Sequence, residues 1–231
     1  MPVFRLGKEI VFPHPLLREP DGLMAAGGDL SLERLRLAYS WGIFPWYHDD
    51  LPFLWWWTCP RLMLRTDRIH ISHSMRSLMS KNIFRVTFNT SFSEVIHACA
   101  SVERKDQPGT WILPEMIQAY EALHEKGDVI SVEVWQDSVL AGGLYGVLSG
   151  HIFSGESMFS IQPNTSKLAL IHLCSYLQSI NVQWIDCQQD TPHMKSMGAE
   201  LLDETQYLEL LRRNQRTILQ QSDNAISGSV R

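Results

Sequence analysis

Two short stretches hold the residues best suited to chemistry: Phe153-Ser154-Gly155-Glu156-Ser157-Met158 and, about 30 residues on, Ile185-Asp186-Cys187-Gln188. Each reads as a β-strand, and each sets an acidic side chain among apolar or small neighbours. Burying a polar group without a partner costs roughly 2–7 kcal/mol. Two carboxylates on separate apolar strands therefore suggest a site built to meet something cationic. The structural alternative is a pair of strand-end caps, which needs no ligand. Strand alternation puts Asp186 and Gln188 on one face with Cys187 pointing away, and likewise groups Ser154, Glu156 and Met158. If the two strands are neighbours, Glu156, Asp186 and Gln188 can meet in one pocket. A carboxylate there can hold an ammonium group and help it shed a proton, and a glutamine amide can donate to a developing oxyanion.

The elements that must position these residues become regular after Pro60. A helix opens near Ser72 with Met75, Leu78 and Met79 inward, Phe84–Phe88 alternates as a strand, and Ser91-Phe92-Ser93-Glu94 has the form of a capping box. Pro114 starts a helix with Met116, Ile117, Tyr120 and Leu123 on its apolar face, closed by Gly127. Strands follow at Val129–Trp135, Leu140–Leu148 and His151–Met158, then a helix at Ser166–Ser179, a strand at Trp184–Gln188 and a last helix at Thr205–Asn214. A meander, a helix and a further strand make an α+β arrangement. The first 60 residues differ in texture. They are rich in Pro and Gly, carry one helix capped by Ser31 with Leu32, Leu35 and Tyr39 on one face, and hold five of the eight tryptophans between Trp41 and Trp57. The expected division is a small aromatic N-terminal domain (1–60), a larger domain (61–219) and a disordered polar tail (220–231).

Composition describes an ordinary soluble protein, with 45% hydrophobic and 19% charged residues. No apolar run follows the N-terminus, and no stretch approaches the ~20 apolar residues of a membrane span. The four cysteines, Cys59, Cys99, Cys174 and Cys187, have no zinc or redox spacing and suit reduced thiols in the cytoplasm. A net charge of −5 argues against general nucleic-acid binding. From Arg61 to Arg85, however, six basic residues face the single acid Asp67, giving +5 there and leaving −10 for the rest. A local basic patch suits contact with a small part of a nucleic acid.

With Glu19-Pro20-Asp21-Gly22-Leu23, Gly27-Gly28-Asp29-Leu30-Ser31, Gly42-Ile43-Phe44-Pro45-Trp46, Gly109-Thr110-Trp111-Ile112 and the two strands above, the chain resembles the leucyl/phenylalanyl-tRNA–protein transferase family from about Phe12 to about Leu211. The resemblance implies an N-acetyltransferase-like (GNAT) larger domain and transfer of Leu or Phe, less well Met, from aminoacyl-tRNA to proteins beginning with Arg or Lys, marking them for N-end rule degradation. It implies catalytic roles for Asp186, Gln188 and Glu156: either an Asp186-to-Gln188 relay or the tRNA ribose hydroxyl takes the amine proton, and Glu156 pairs with the cationic N-terminal residue or orders the pocket. It implies an aminoacyl pocket of Leu144, Phe153, Met158, Leu170, Leu173 and Ile185, and a terminal-adenosine site of Trp46 and Trp111 with Tyr39 and Tyr120 nearby. Leu144 and Leu173 depart from the family's Met and Phe. The donor ester is already activated, so neither metal nor cofactor is expected.

Other chemistries fit less well. Gly155-Glu156-Ser157-Met158-Phe159 lacks the final glycine of a hydrolase elbow, and His124-Glu125 has Asp128 where a zinc helix needs histidine. His70 and His73 have no further ligand nearby, and Gly142-Gly143-Leu144-Tyr145-Gly146 lies within a strand. A CoA-dependent acetyltransferase of the same fold needs a glycine-rich pyrophosphate loop, and Phe159–Thr165 has no glycine. A non-catalytic RNA-binding module using Trp46, Trp111 and the basic segment leaves Glu156, Asp186 and Gln188 unexplained.

Overall fold

The computed structural model describes residues 3–48, 52–102 and 110–228, with the backbone alone from 219. Turn-rich sequence up to residue 60 forms short strands: β1 (Phe4–Leu6), β2 (Leu23–Gly27), β3 (Phe44–Pro45) and β4 (Leu54–Trp56), with helix α1 (Leu32–Ser40) between β2 and β3. They assemble as one sheet in the order β1-β2-β4-β3. Beyond it lie β5 (Arg61–Arg65), α2 (His73–Ser80), β6 (Arg85–Phe88), α3 (Phe92–Ala100), α4 (Pro114–Glu125), β7 (Val129–Gln136), β8 (Val139–Ser149) and β9 (Ile152–Ser160). The chain then runs through α5 (Thr165–Ser179), β10 (Trp184–Asp186), α6 (Pro192–Ser196), β11 (Glu200–Leu202) and α7 (Glu204–Gly228). The larger sheet is mixed, ordered β11-β5-β10-β9-β8-β7-β6, and the β9–β10 pair within it is parallel. The protein is of the α+β class.

Residues pairing directly across strands share a sheet face, and the two faces of the large sheet carry two cores. Val132, Leu144 and Phe153 pack with Leu168, Leu173 and Leu177 of α5. Tyr145, Val147 and Phe159 pack on the other face with α3, α4 and the aromatic N-terminal module, including Trp55 and Trp57. That second core runs without interruption across both sheets.

Several local expectations meet differences with physical causes. Ser72 caps α2 by accepting from the Met75 N–H, whereas Ser91, at φ −147° and ψ 50°, makes no side-chain cap for α3. The strand expected at Trp184–Gln188 stops at Asp186, because Gln188 turns into the left-handed region at φ 58°. Helix α7 does not end at Asn214, and the tail expected to be disordered from Gln220 is helical in its backbone to Gly228. Asn214 anchors it by donating to the Ser149 carbonyl and accepting from the His151 N–H. Once a helix is nucleated, each further residue adds a backbone bond. Arg61, counted in the basic patch, is buried and ion-paired, and Arg65 is committed to Asp67, so the free positive surface is smaller than the sequence suggests.

Candidate active site

Glu156 owes its position to an irregularity in β9. Tyr145 pairs with Ser157 but the next residue, Gly146, pairs with Gly155, so Glu156 is the extra residue of a β-bulge. A bulge re-aims the side chains around it and resets the alternation beyond. Ser154 therefore shares the face of Val147 while Met158 shares that of Leu144, and the expected common face of Ser154, Glu156 and Met158 does not exist. The same slip brings Phe153 and Met158, five residues apart, to one side.

Beside the bulge the sheet opens. Strands β9 and β10 pair only as far as Ser154 and Asp186, after which β9 continues and the other chain turns away through Gln188. In that notch Gln188 Nε2 donates to Glu156 Oε1 at 2.8 Å, and the Tyr120 hydroxyl donates to Oε2 at 3.1 Å. The Tyr39 hydroxyl bonds to that of Tyr120 and also supports the carboxylate. Burial pushes the Glu156 carboxyl up to about 7, against the opposing pull of Tyr39, Tyr120 and Gln188, and the nearby Asp186 charge adds to the rise. Burial and the same carboxylate hold Tyr39 and Tyr120 well above the ordinary phenol range, so both stay protonated donors.

Asp186 is in a different situation. Arg61 grips it as a fork, Nε to Oδ1 at 2.7 Å and Nη2 to Oδ2 at 2.9 Å. The Tyr207 hydroxyl donates to Oδ2 at 2.8 Å and the Gln188 N–H to Oδ1 at 2.9 Å. A carboxylate offers about four acceptor positions, and all are taken. Asp186 is 1% exposed.

Two cavities adjoin Glu156. One, of about 310 Å³, is lined by all six expected apolar residues, Leu144, Phe153, Met158, Leu170, Leu173 and Ile185. The other, of about 150 Å³, is walled by Phe44, Pro45, Trp46 and Trp111, with Gln188 and Gln189. Gly155, Glu156, Cys187 and Thr191 line both and form the partition; Asp186 lines neither. Trp46 is partly exposed and Trp111 is 7% exposed. Tyr39 and Tyr120, expected near the adenosine, line neither cavity and sit behind Glu156 as its supports. A larger hollow of about 430 Å³ beside α7 has no comparable chemistry, for its acid Glu209 is exposed and paired with Arg213. Among the described residues no three His, Cys, Asp or Glu side chains group to hold a metal, and no helix is long and apolar enough to cross a membrane.

Sequence reasoning missed Arg61 and Tyr207. The only signal for Arg61 is a charged residue heading the apolar run Leu62-Met63-Leu64. Tyr207 gave no signal in sequence; the structure shows that a Cβ at Gly42 would collide with its hydroxyl.

A buried carboxyl raised toward neutrality, between an apolar cavity and an aromatic-walled cleft, marks the candidate active site of an enzyme. Comparison with known proteins narrows the class. Residues 63–212 match the leucyl/phenylalanyl-tRNA protein transferase family, and residues 28–59 match that family's N-terminal domain. Leucyl/phenylalanyl-tRNA–protein transferases of Maridesulfovibrio salexigens and Syntrophobacter fumaroxidans are each 50% identical, over 91% and 93% of this chain and 88% and 92% of their own. That of Flavobacterium johnsoniae is 47% identical over 91% of this chain and 99% of its own. A functionally unknown conserved protein from Staphylococcus epidermidis overlays with a TM-score of 0.39 at 8% identity, covering 78% and 68% of the two chains. The chain belongs to the leucyl/phenylalanyl-tRNA protein transferase family, whose members are aminoacyltransferases.

Proposed function

We propose that this protein transfers Leu or Phe, and less readily Met, from aminoacyl-tRNA to the α-amine of proteins beginning with Arg or Lys, marking them in the cytoplasm for N-end rule degradation. The carrying observation is Glu156 on the partition between the two cavities, with its carboxyl raised to about 7. The apolar cavity takes the donor side chain, and the cleft at Trp46 and Trp111 takes the terminal adenosine. The meander β6–β9, followed by α5 and the parallel β10, supports an N-acetyltransferase-like reading of the larger sheet.

An N-terminal amine has a pKa of about 7.7–8.0 and is mostly protonated at neutral pH. A base near 7 is matched to it. Glu156 accepts one proton from the ammonium, and the freed amine attacks the ester carbonyl. The C–N bond forms, the C–O bond to the terminal ribose breaks, and the second amine proton leaves with the ribose oxygen. Gln188 holds Glu156 in place through one amide N–H, which leaves the second to donate to the reacting carbonyl. The ester carries its own activation, so the step calls on no cofactor.

Purified protein, Leu-tRNA and an Arg-initiated peptide, followed by mass spectrometry, test this directly. The peptide should gain one Leu, a Lys-initiated peptide likewise, and Ala- or Asp-initiated peptides should not. Acetylation from acetyl-CoA, or equal use of the Ala peptide, would overturn the reading.

A further inference from the structure

Arg61 stands where four distant segments meet. Besides gripping Asp186, its Nη2 donates to the Gly42 carbonyl at 2.9 Å and its Nη1 to the Thr58 hydroxyl at 3.1 Å. The guanidinium lies between two rings, 5.0 Å from Phe44 and 5.1 Å from Tyr207. Thr58 in turn donates to the Gln188 carbonyl at 3.4 Å. Arg61 thus touches the wall of the aromatic cleft through Phe44 and, through Asp186, reaches the Gln188 N–H. Gln188 is a non-glycine residue at φ 58°, a conformation that costs free energy and persists where neighbours over-determine it. From that turn its side chain reaches Glu156.

We infer that Arg61, Asp186 and Tyr207 are positioning residues: a buried clamp that fixes the Gln188 turn, and through it Glu156, without exchanging a proton with the substrates. The inference rests on Glu156 being the base of the transfer reaction. Asp186, the more obvious acid from sequence, has no acceptor position open and faces neither cavity. The clamp also ties the cleft wall to the acid–base pair, so that donor and acceptor sides are held by one guanidinium. Arginine suits this because its planar fork fills both carboxylate oxygens and still has donors for two further groups.

The groups facing Glu156 are Tyr39 from α1, Tyr120 from α4, Asp186 at the end of β10, Gln188 just beyond it, and Arg61 on β5. Loosening Gln188 removes one of the bonds that keep the Glu156 carboxylate charged, so the acid limb of the rate profile should move to higher pH.

The test is kcat and KM against pH for wild type, Tyr207→Phe, Arg61→Lys and Asp186→Asn, with Phe-tRNA and an Arg-initiated peptide, well below each melting temperature. Tyr207→Phe keeps the ring and should lower kcat about tenfold, leave the KM for Phe-tRNA within about twofold, and move the acid limb up. Arg61→Lys keeps the charge but loses the fork, and should lose about 100-fold in kcat. Asp186→Asn retains one oxygen for the Gln188 N–H and should keep about 1% of wild-type kcat. Total loss of kcat in folded Asp186→Asn, or wild-type kcat and pH profile in Tyr207→Phe, would overturn the inference; if the other two fail to fold, Tyr207→Phe decides alone. A wild type that does not transfer Phe at all would fail the functional reading itself, a separate result.

Discussion

Replacing Glu156 by Gln should leave the protein nearly inactive and, above neutral pH only, more stable. The folded carboxyl is carried from an ordinary 4.5 to about 7, chiefly by burial. At about 1.4 kcal/mol per decade, ionising it inside the fold costs about 3 kcal/mol. Below pH 4.5 both folded and unfolded chains hold the proton, and the cost is absent. Between 4.5 and 7 the unfolded chain has lost its proton while the folded one retains it, so wild-type stability falls as pH rises; above 7 the fall is complete. The amide that replaces the carboxyl has no proton to lose. It can still accept from Tyr120, and Gln188 can turn its own amide to match, at an expense of about 1 kcal/mol for imperfect bonds. Glu156→Gln should therefore be neutral to slightly destabilising at pH 4.5 and more stable than wild type by about 2 kcal/mol at pH 8. Denaturant unfolding of both proteins at the two pH values measures this, alongside kcat, which should fall by about 10²–10⁴. Equal destabilisation at both pH values would show that Glu156 is charged and well satisfied throughout, and a near-normal kcat would remove it from the proton path.

Two further outcomes test the cavities. Trp46→Ala should raise the KM for aminoacyl-tRNA by the equivalent of about 1–3 kcal/mol without lowering the melting temperature much, whereas Trp111→Ala, at a 7% exposed position, should cost stability as well; unchanged KM in both would take the adenosine away from this cleft. Leu-, Phe- and Met-tRNA should serve as donors while Ile- and Val-tRNA fail, because a methyl is worth only about 1–3 kcal/mol in an apolar pocket and exclusion must come from shape at the branched Cβ; comparable rates with Ile-tRNA would refute the assignment of the 310 Å³ cavity.

The regular part of the fold was legible because its signals are local. The meander β7–β9 and helix α5 follow apolar periodicity, and their observed limits lie close to those read from sequence. The N-terminal strands were not legible: β1, β3 and β4 have two or three residues each, too few to show a period, and they are held by Trp55 and its neighbours rather than by their own pattern. The fate of Arg61 was hidden for a related reason. A positive charge in sequence looks the same whether it faces solvent or a carboxylate 125 residues away.

The site itself shows where alternation fails as a guide. Strand period alone aimed Glu156 with Ser154 and Met158, and Asp186 with Gln188, yet the site depends on two breaks in that period: the bulge at Glu156 and the left-handed turn at Gln188. Gly146 allows the first, since any Cβ there would drive into the Ser154 carbonyl and the Phe153 ring. Asp186, Thr58 and Arg61 hold the second. The two breaks also divide the labour of the acids. The one on the bulge is lifted between the cavities, short of cationic partners, and its affinity for a proton rises to the range of an amine. The one at the strand end meets a guanidinium, fills every acceptor position, and becomes part of the frame. In sequence the two look equal, because both are carboxylates in an apolar setting; only the partners differ, and on the proposed function that difference makes Glu156 the base and leaves Asp186 to position it.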